Sequence, residues 1–591
     1  MKPKHLLFLA SIVFSTSALP AAELTASDSA AGDSFYSMSL SGSAVIVGVP
    51  HDDDDGYDFG SAYVFRNLDV ATGSITENVK LTASDGAEFD YFGISASLSG
   101  TSAIVGARYD DDKGNDSGSA YVFRNLDTAT GSITESVKLT ASDGKANGQF
   151  GESVSLFGST AIVGAYYPSN IGSAYVFRNL DMATGSITEN LKLTASDGAG
   201  GDYFGNSVSL SDSIGLVGAR LDRDNGVNSG SAYVFRNLDT ATGSITESVK
   251  LTASDGKAND QFGSSVSLSG SIGLVGAWRG GNSNSGAAYV FRNLEIATGT
   301  ITENVKLTAS DGVIEDNFGN SVSLSGTTAI VGAYGDDDDG MNSGSAYVFR
   351  NLDTAVGSII ENVKITASDG AAHRNFGRSV SLDGDLFVVA TGSPSASKAY
   401  TGSVSSMTTL DAGNASRTID GISFVSQDDW IIGRTTDNNT VTLTAGDTAD
   451  VTSAGRAVHI GKEAGSDDNA LVIAGTFHAT EVYIGAHTGN TGNVLELQAT
   501  SVIDADVIRL AAGNFLRLEG DHTLGLLGYL DDTDLQVWDS GAWQTVDGSN
   551  QDSLIAVTYD SGFTTVGVIP EPSALLLTLL GGVSALRRRR K

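Results

Sequence analysis

The chain is predicted to be all-β, a seven-bladed β-propeller over residues 23–404 followed by a β-rich domain over 405–565. Three observations predict it. The phrase Leu-Thr-Ala-Ser-Asp, once Ile-Thr-Ala-Ser-Asp, begins at Leu24, Leu81, Leu139, Leu193, Leu251, Leu307 and Ile365, and successive starts differ by 57, 58, 54, 58, 56 and 58 residues. So regular a period marks a repeat architecture. Each unit holds four short strand-like segments parted by turn residues, and none has sustained helical period. Seven four-stranded units suffice to close a ring.

The copy from Phe318 to Gly370 shows the elements in order. Ser321 to Leu324 alternates polar and apolar, as a half-buried strand does. Ser325-Gly326 is a two-residue hairpin turn. Ala329 to Ala333 is apolar throughout, so it belongs inside a sheet covered on both faces. Ser345 to Phe349 is rich in β-branched and aromatic residues. In Glu361 to Ala367, Val363, Ile365 and Ala367 share one face and Lys364 and Thr366 the other. The segment at Leu24 looks like a fourth strand with no blade before it, and the seventh unit loses the motif after its third strand. The amino-terminal strand is therefore expected to complete blade seven and remove an open edge, with a strand from Ser405 to Leu410 as the alternative.

Phe-Gly stands before the first strand at Phe92, Phe150, Phe204, Phe262, Phe318 and Phe376, and Gly-Ala closes the second at Gly106, Gly164, Gly218, Gly276 and Gly332. This pairing resembles the FG-GAP repeat of integrin α-subunit propellers and their bacterial relatives, over about two-thirds of the chain. The first unit departs at Phe35-Tyr36 and the seventh at Val389-Ala390-Thr391, as terminal units of an array do.

The chain has 591 residues, 40% of them hydrophobic, with 72 glycines and a formal charge of −35. That acidity argues against nucleic acid as a partner, since phosphate binding needs a basic footprint. It favours solubility and draws cations. Without cysteine there is neither a disulfide nor a thiolate ligand or nucleophile. Residues 1–22 read as a secretory signal peptide: Lys2 and Lys4, an apolar core from Leu6 to Phe14, then small residues. At the other end, residues 566–591 hold Pro570-Glu571-Pro572, an apolar run too short to be a usual membrane span, and Arg587, Arg588, Arg589 and Arg590. This arrangement resembles the PEP-CTERM sorting signal of Gram-negative bacteria. The resemblance implies an exosortase-type sorting enzyme as partner, only transient membrane contact, and a destination at the cell surface or in the extracellular matrix.

Between 405 and 565 a looser pattern recurs. Asn439 to Leu443, Asn469 to Ile473, Asn493 to Leu497 and Asn514 to Leu518 share Asn-x-apolar-x-apolar, and Val-x-Ile-Gly recurs at Val458 and Val482. Short strands each opened by an Asn suggest coils of a parallel β-solenoid. A small sandwich would give similar strands. The stretch from Leu535 to Val557, with Trp538 and Trp543, would cap the coils.

The sharpest candidates for chemistry are acidic loops between second and third strands. They contain Asp52, Asp53, Asp54, Asp55 and Asp58; Asp110, Asp111, Asp112 and Asp116; Asp222 and Asp224; and Asp336, Asp337, Asp338 and Asp339. Clustered carboxylates beside a glycine suit a hard, oxygen-seeking ion, and Ca²⁺ is the candidate cofactor; the alternative is a set of solvated acidic loops. The loops from Tyr166 and Trp278 lack the carboxylates. Integrin-type propellers hold calcium in the first hairpin, which here is only Ser-Gly, so those ligands do not carry over. No zinc, P-loop or nucleophile-elbow pattern occurs, and Glu77 and Arg66 recur with the repeat, which marks them as structural. The sequence therefore reads as a non-enzymatic, exported binding or adhesion protein whose partner is an extracellular polysaccharide or surface protein. A secreted polysaccharide hydrolase and a self-associating coat protein are the alternatives.

Overall fold

The computed structural model describes residues 22–404 apart from 31, 72, 167–170, 282–284, 339, 368–370 and 393–397, together with backbone strands elsewhere. Most of residues 1–22, Asp339, and the sorting motif with Pro570, Glu571, Pro572 and Arg587 to Arg590 lie outside the described residues. The chain divides into two compact units, one spanning 19–404 and the other the remainder.

The first unit is a seven-bladed propeller. Blade two shows the pattern: Phe92–Ser99, Ser102–Ala107, Ser119–Phe123 and Val137–Leu139 form an antiparallel meander. A fifth strand, Gly185–Ile187, then pairs in parallel with Val137–Leu139 and comes from the next repeat. Six of the seven described blades carry such a fifth strand; blade six ends at Val363–Ile365. The four-stranded unit read from the sequence is thus extended by the link between third and fourth strands of the neighbouring repeat. The arginine after the third strand holds this link in place. Arg66 Nη1 donates to Leu126 O at 2.9 Å and its Nη2 to Ala129 O at 2.9 Å.

The ring closes as the sequence predicts. Ala22–Leu24 pairs antiparallel with Ala399–Ser403 of blade seven, and Gly73–Ile75 adds outside it in parallel. Around the axis, serines of one first strand donate order to the next: Ser39 Oγ accepts the Leu98 N–H at 3.0 Å and Ser97 Oγ that of Leu156 at 3.0 Å. The last link is Ser381 Oγ accepting Leu40 N–H at 2.8 Å, which completes the circle. The alternating Ser-Val-Ser-Leu-Ser strand therefore has two jobs, its apolar residues entering the blade core and its serines stitching blades together.

Blades meet through a shared core. Ile46, Ala62 and Val64 of blade one pack with Phe92, Val105, Tyr121 and Phe123 of blade two, all buried. The Phe92 ring stands edge-on to Tyr121 and Phe123 at 5.5 and 6.0 Å between centroids, a favoured aromatic geometry. The glycines of the two motifs exist for close approach. A Cβ on Gly106 would lie 2.0 Å from the Gly151 carbonyl oxygen, and Gly151 itself has φ of +92°. At the seam between blades seven and one, both glycine positions hold other residues, Ala390 and Tyr36. The departures noted at the two ends of the array thus fall on one junction.

In the second unit, Thr440–Leu443, Ala470–Ile473, Val494–Leu497 and Phe515–Glu519 pair in parallel and in register, Thr440 opposite Ala470, Ala470 opposite Val494 and Val494 opposite Phe515. A second ladder runs through Ala457–Ile460, Thr476–Ile484, Val502–Leu510 and Asp534–Asp539. Parallel, in-register ladders of this kind are what stacked coils produce.

Candidate carboxylate triads and their lysines

Each acidic loop begins with an aspartate that the fold buries. In blade two, Asp110 is 3% exposed. Its Oδ1 accepts the backbone N–H of Asp112 at 3.1 Å and the hydroxyl of Ser119 at 2.8 Å, and its Oδ2 accepts the Tyr121 hydroxyl at 2.8 Å. The loop is closed from the other side by Asp111, whose carboxylate accepts the Asp116 N–H at 2.8 Å. These are the local turns that short carboxylate side chains favour.

The structure brings the carboxylates together in threes, close enough to hold a metal ion: Asp28 with Asp52 and Asp54, Asp85 with Asp110 and Asp112, Asp197 with Asp222 and Asp224, and Asp311 with Asp336 and Asp338. In every triad a lysine ammonium from the fourth strand stands among the three. Lys138 Nζ lies 2.6 Å from Asp85, 3.0 Å from Asp110 and 2.5 Å from Asp112. Lys80 lies 2.7, 3.3 and 2.7 Å from Asp28, Asp52 and Asp54. Lys250 and Lys364 repeat the arrangement in blades four and six. Each ammonium also stands over the ring of the third-strand tyrosine, 5.1 Å from the centroid for Lys138 and Tyr121.

Three N–H donors facing three carboxylates satisfy an ammonium. Burial disfavours the charge on Lys80, Lys138 and Lys364, but the aspartates outweigh it and hold each amine well above the usual lysine range. Burial and the neighbouring aspartates push the Tyr63, Tyr121 and Tyr233 phenols far up as well, so they remain donors. Calcium requires six to eight oxygens at about 2.3–2.6 Å. An ion at the centre of a triad would have to displace the lysine, so the arrangement described fits the ammonium rather than the metal.

The sequence reading found the loop aspartates and missed their partners. Asp52, Asp54, Asp110, Asp112, Asp222, Asp224, Asp336 and Asp338 enter triads. Asp53, Asp111 and Asp337 close loops by accepting the N–H of Asp58, Asp116 and Asn342. Asp58 also meets His51 Nδ1 at 2.8 Å, and Asp55 is exposed. The missed members are the aspartate of the repeated Thr-Ala-Ser-Asp and the lysine of the fourth strand. A signal was present, because both recur even in repeats three and five, whose loops carry no carboxylates. The repeated glutamate has a structural task too: Glu135 accepts the Ser84 N–H and hydroxyl at 3.0 and 2.6 Å, tying adjacent blades.

No curated protein matches the chain in sequence. The FG-GAP repeat family matches it in seven stretches, 20–65, 75–123, 133–177, 187–235, 245–291, 301–349 and 360–405. Each stretch runs from the fourth strand of one blade through the first three strands of the next, the first beginning with the strand that closes blade seven; together they cover more than half of the sequence, and the chain belongs to the FG-GAP repeat family.

Proposed function

We propose that the protein is an exported, surface- or matrix-associated binding protein, an adhesion module rather than an enzyme, with the propeller as its rigid scaffold. The observation that carries this reading is where the seven repeats differ. In repeats one to six the second, third and fourth strands, and the Arg-Asn-Leu-Asp link (Arg-Asn-Leu-Glu in repeat five), are nearly identical. Their differences concentrate in two connections, the loop from second to third strand and the one leading into Phe-Gly. Both lie at the same end of the antiparallel meander, and they bond to each other, as Asn147 N–H does to Asn115 O at 2.7 Å. A constant frame with one variable face is what recognition by loops requires. The amino-terminal segment and the PEP-CTERM-like end support export and sorting by an exosortase-type enzyme.

The test is a chimaera in which these loops in every blade are replaced by those of blade five, compared with the full chain by labelling intact cells and by attachment to matrix. Expected are equal surface labelling, a cooperative melt of the intact propeller and lost attachment. Full attachment by the chimaera would overturn the reading.

A calcium-assisted form of this function would use the four carboxylate triads and requires displacement of the lysine that stands in each. Titration of Ca²⁺ into the full chain tests it. A saturable rise in melting temperature, reduced in Asp336→Asn/Asp338→Asn, which keeps the other three triads, supports calcium; no rise at millimolar ion removes calcium from the mechanism.

A further inference from the structure

The variable face carries a second set of side chains that the repeat does not dictate. They follow Gly-Ala or flank Phe-Gly, and so border the end of the ring's axis. They touch from blade to blade. His51 stands edge-on to Tyr91 at 5.0 Å, and Tyr166 of blade three lies 4.8 Å from Tyr203 of blade four. Arg220 stacks over Tyr203 at 5.4 Å and Arg279 over Trp278 at 4.4 Å. Arg378 bridges two blades, 5.2 Å from the Tyr334 ring and 5.2 Å from that of Tyr36.

The charge here is out of keeping with the rest. The chain is acidic, and its repeated cations are all engaged, the lysines by aspartates and arginines such as Arg66 by backbone carbonyls. Arg108, stacked on Tyr109 at 4.6 Å, is paired with Glu152 at 3.0 Å, and Glu152 also feels the charge of Arg220; among the described residues, Arg220, Arg279 and Arg378 form no ion pair, and each lies on an aromatic face. A guanidinium stacked in this way keeps its N–H edge free, a planar fork matched to a carboxylate. A second observation points the same way. Gln149, 8% exposed, leaves its Oε1 without a partner. At the equivalent position Gln261 accepts the Trp278 indole N–H at 3.0 Å, so this orphan is particular to blade three.

We propose that this aromatic–arginine ring is the ligand site of the propeller and that its ligand is an acidic polysaccharide. Uronate carboxylates are taken by Arg220, Arg279 and Arg378, and the apolar C–H faces of the sugars lie on the tyrosine and tryptophan rings. Gln149 supplies an acceptor for a sugar hydroxyl. A polyuronate offers carboxylates and sugar faces in alternation, as the ring offers arginines and aromatics. The proposal rests on the binding function above and names its ligand.

The experiment uses the full chain and hexagalacturonate, followed by calorimetry and by tryptophan fluorescence, with a neutral glucan hexamer and a hexaglutamate peptide as comparators. Expected is saturable binding of hexagalacturonate only, weakened at least tenfold in Arg220→Gln/Arg378→Gln and unchanged in Arg223→Gln, which lies in the exposed loop outside the ring. Melting temperatures of the variants should match that of the parent. Equal binding of the neutral hexamer, or equal or tighter binding of hexaglutamate, would overturn the ligand class while leaving a binding protein. No binding of hexagalacturonate, or an unaffected double variant, would overturn the site. Attachment to matrix, measured on the same variants, separates these failures from failure of the adhesion function itself.

Discussion

Blades one, two, four and six differ from blades three and five at one place, and the difference separates what the fold needs from what has been added to it. In all six, a fourth-strand lysine meets the aspartate of the preceding Thr-Ala-Ser-Asp and stands over a third-strand tyrosine. In blades three and five no further carboxylate joins them among the described residues: Lys192 has Asp143 at 2.5 Å and Lys306 has Asp255 at 2.5 Å. There the charges balance. In the other four blades the loop brings two further carboxylates to the same ammonium. The pair is therefore part of the repeat, and the triad is a pair onto which an acidic loop has been grafted. Blade seven inverts the pair. Its fourth strand is the amino-terminal one, with Glu23 at the lysine position, and Lys398 answers it at 2.8 Å.

The largest expected effect follows from removing the ammonium. Lys138→Met leaves Asp110 buried against Asp85 and Asp112 with no cation, and breaking a buried pair in this way costs about 3–5 kcal/mol. Lys192→Met removes a half-buried pair worth about 1 kcal/mol or less. Urea or thermal melts of the two variants check this, and equal losses would erase the distinction between blade classes. A sharper version uses calcium. Lys138→Ala vacates a triad of oxygens, so millimolar Ca²⁺ should restore part of its lost melting temperature and shift the parent less. Lys192→Ala, with one carboxylate, should not respond. If Lys138→Ala is equally indifferent, the triad geometry is wrong for a hard cation even when empty.

The sequence was most legible where one residue type serves one geometric need. Phe-Gly and Gly-Ala could be read because no side chain fits where Gly106 meets Gly151. The closing strand could be read because Leu24 begins a fourth strand without a blade. The fifth strand could not. Gly131–Thr134 is short and largely exposed, and it pairs in parallel with a strand of the preceding repeat, a non-local choice that leaves no hairpin signature. The lysine was missed for a related reason. Loop carboxylates stand together in sequence and invite a metal, whereas their counter-ion arrives 26 residues after Asp112 and 53 after Asp85, and only the meander brings them together.

The grafted charges also leave a trace in pH dependence. Asp90 and Asp316 precede the Phe-Gly of blades two and six, and burial, with loop aspartates nearby, raises their carboxyls to about 6 and about 7. Asp260, the counterpart in blade five, is raised mainly by burial. A carboxyl with a raised folded pKa binds its proton more tightly in the folded state. It therefore favours folding at low pH, and that contribution is lost as pH rises from the unfolded value of 3.8 through 6–7. Asp316→Asn removes the penalty while keeping an oxygen for the Val313 N–H, which Asp316 accepts at 2.6 Å. It should melt about 1–3 °C above the parent at pH 8, and the gap should close below pH 4. Asp260→Asn should gain less. The opposite sign holds for Asp143, Asp197 and Asp255, where burial is outweighed by the lysine and tyrosine partners. Their lowered carboxyls stabilise above pH 3.8 and release that stability as pH falls further.

The smallest effect tests whether the loop and its blade have been fitted to each other. Ser119, Ser231 and Ser345 each donate a hydroxyl to the first aspartate of their loop, at 2.8, 3.0 and 3.1 Å. In blade five, where that aspartate is missing, the same position holds Ala287, fully buried. A buried hydroxyl without a partner is unfavourable, and an aspartate oxygen deprived of one loses a bond worth about 1 kcal/mol. Ser119→Ala should accordingly lower stability by about that amount. Ala287→Ser should lower it too, because the new hydroxyl finds no carboxylate. Blade three keeps Ser173 without a loop aspartate, so two opposite substitutions that both destabilise would show that serine fits its loop in blade two and alanine fits its loop in blade five. A stabilising Ala287→Ser would mean that the strand prefers serine whatever the loop contains, and that the pairing of Ser119 with Asp110 is incidental.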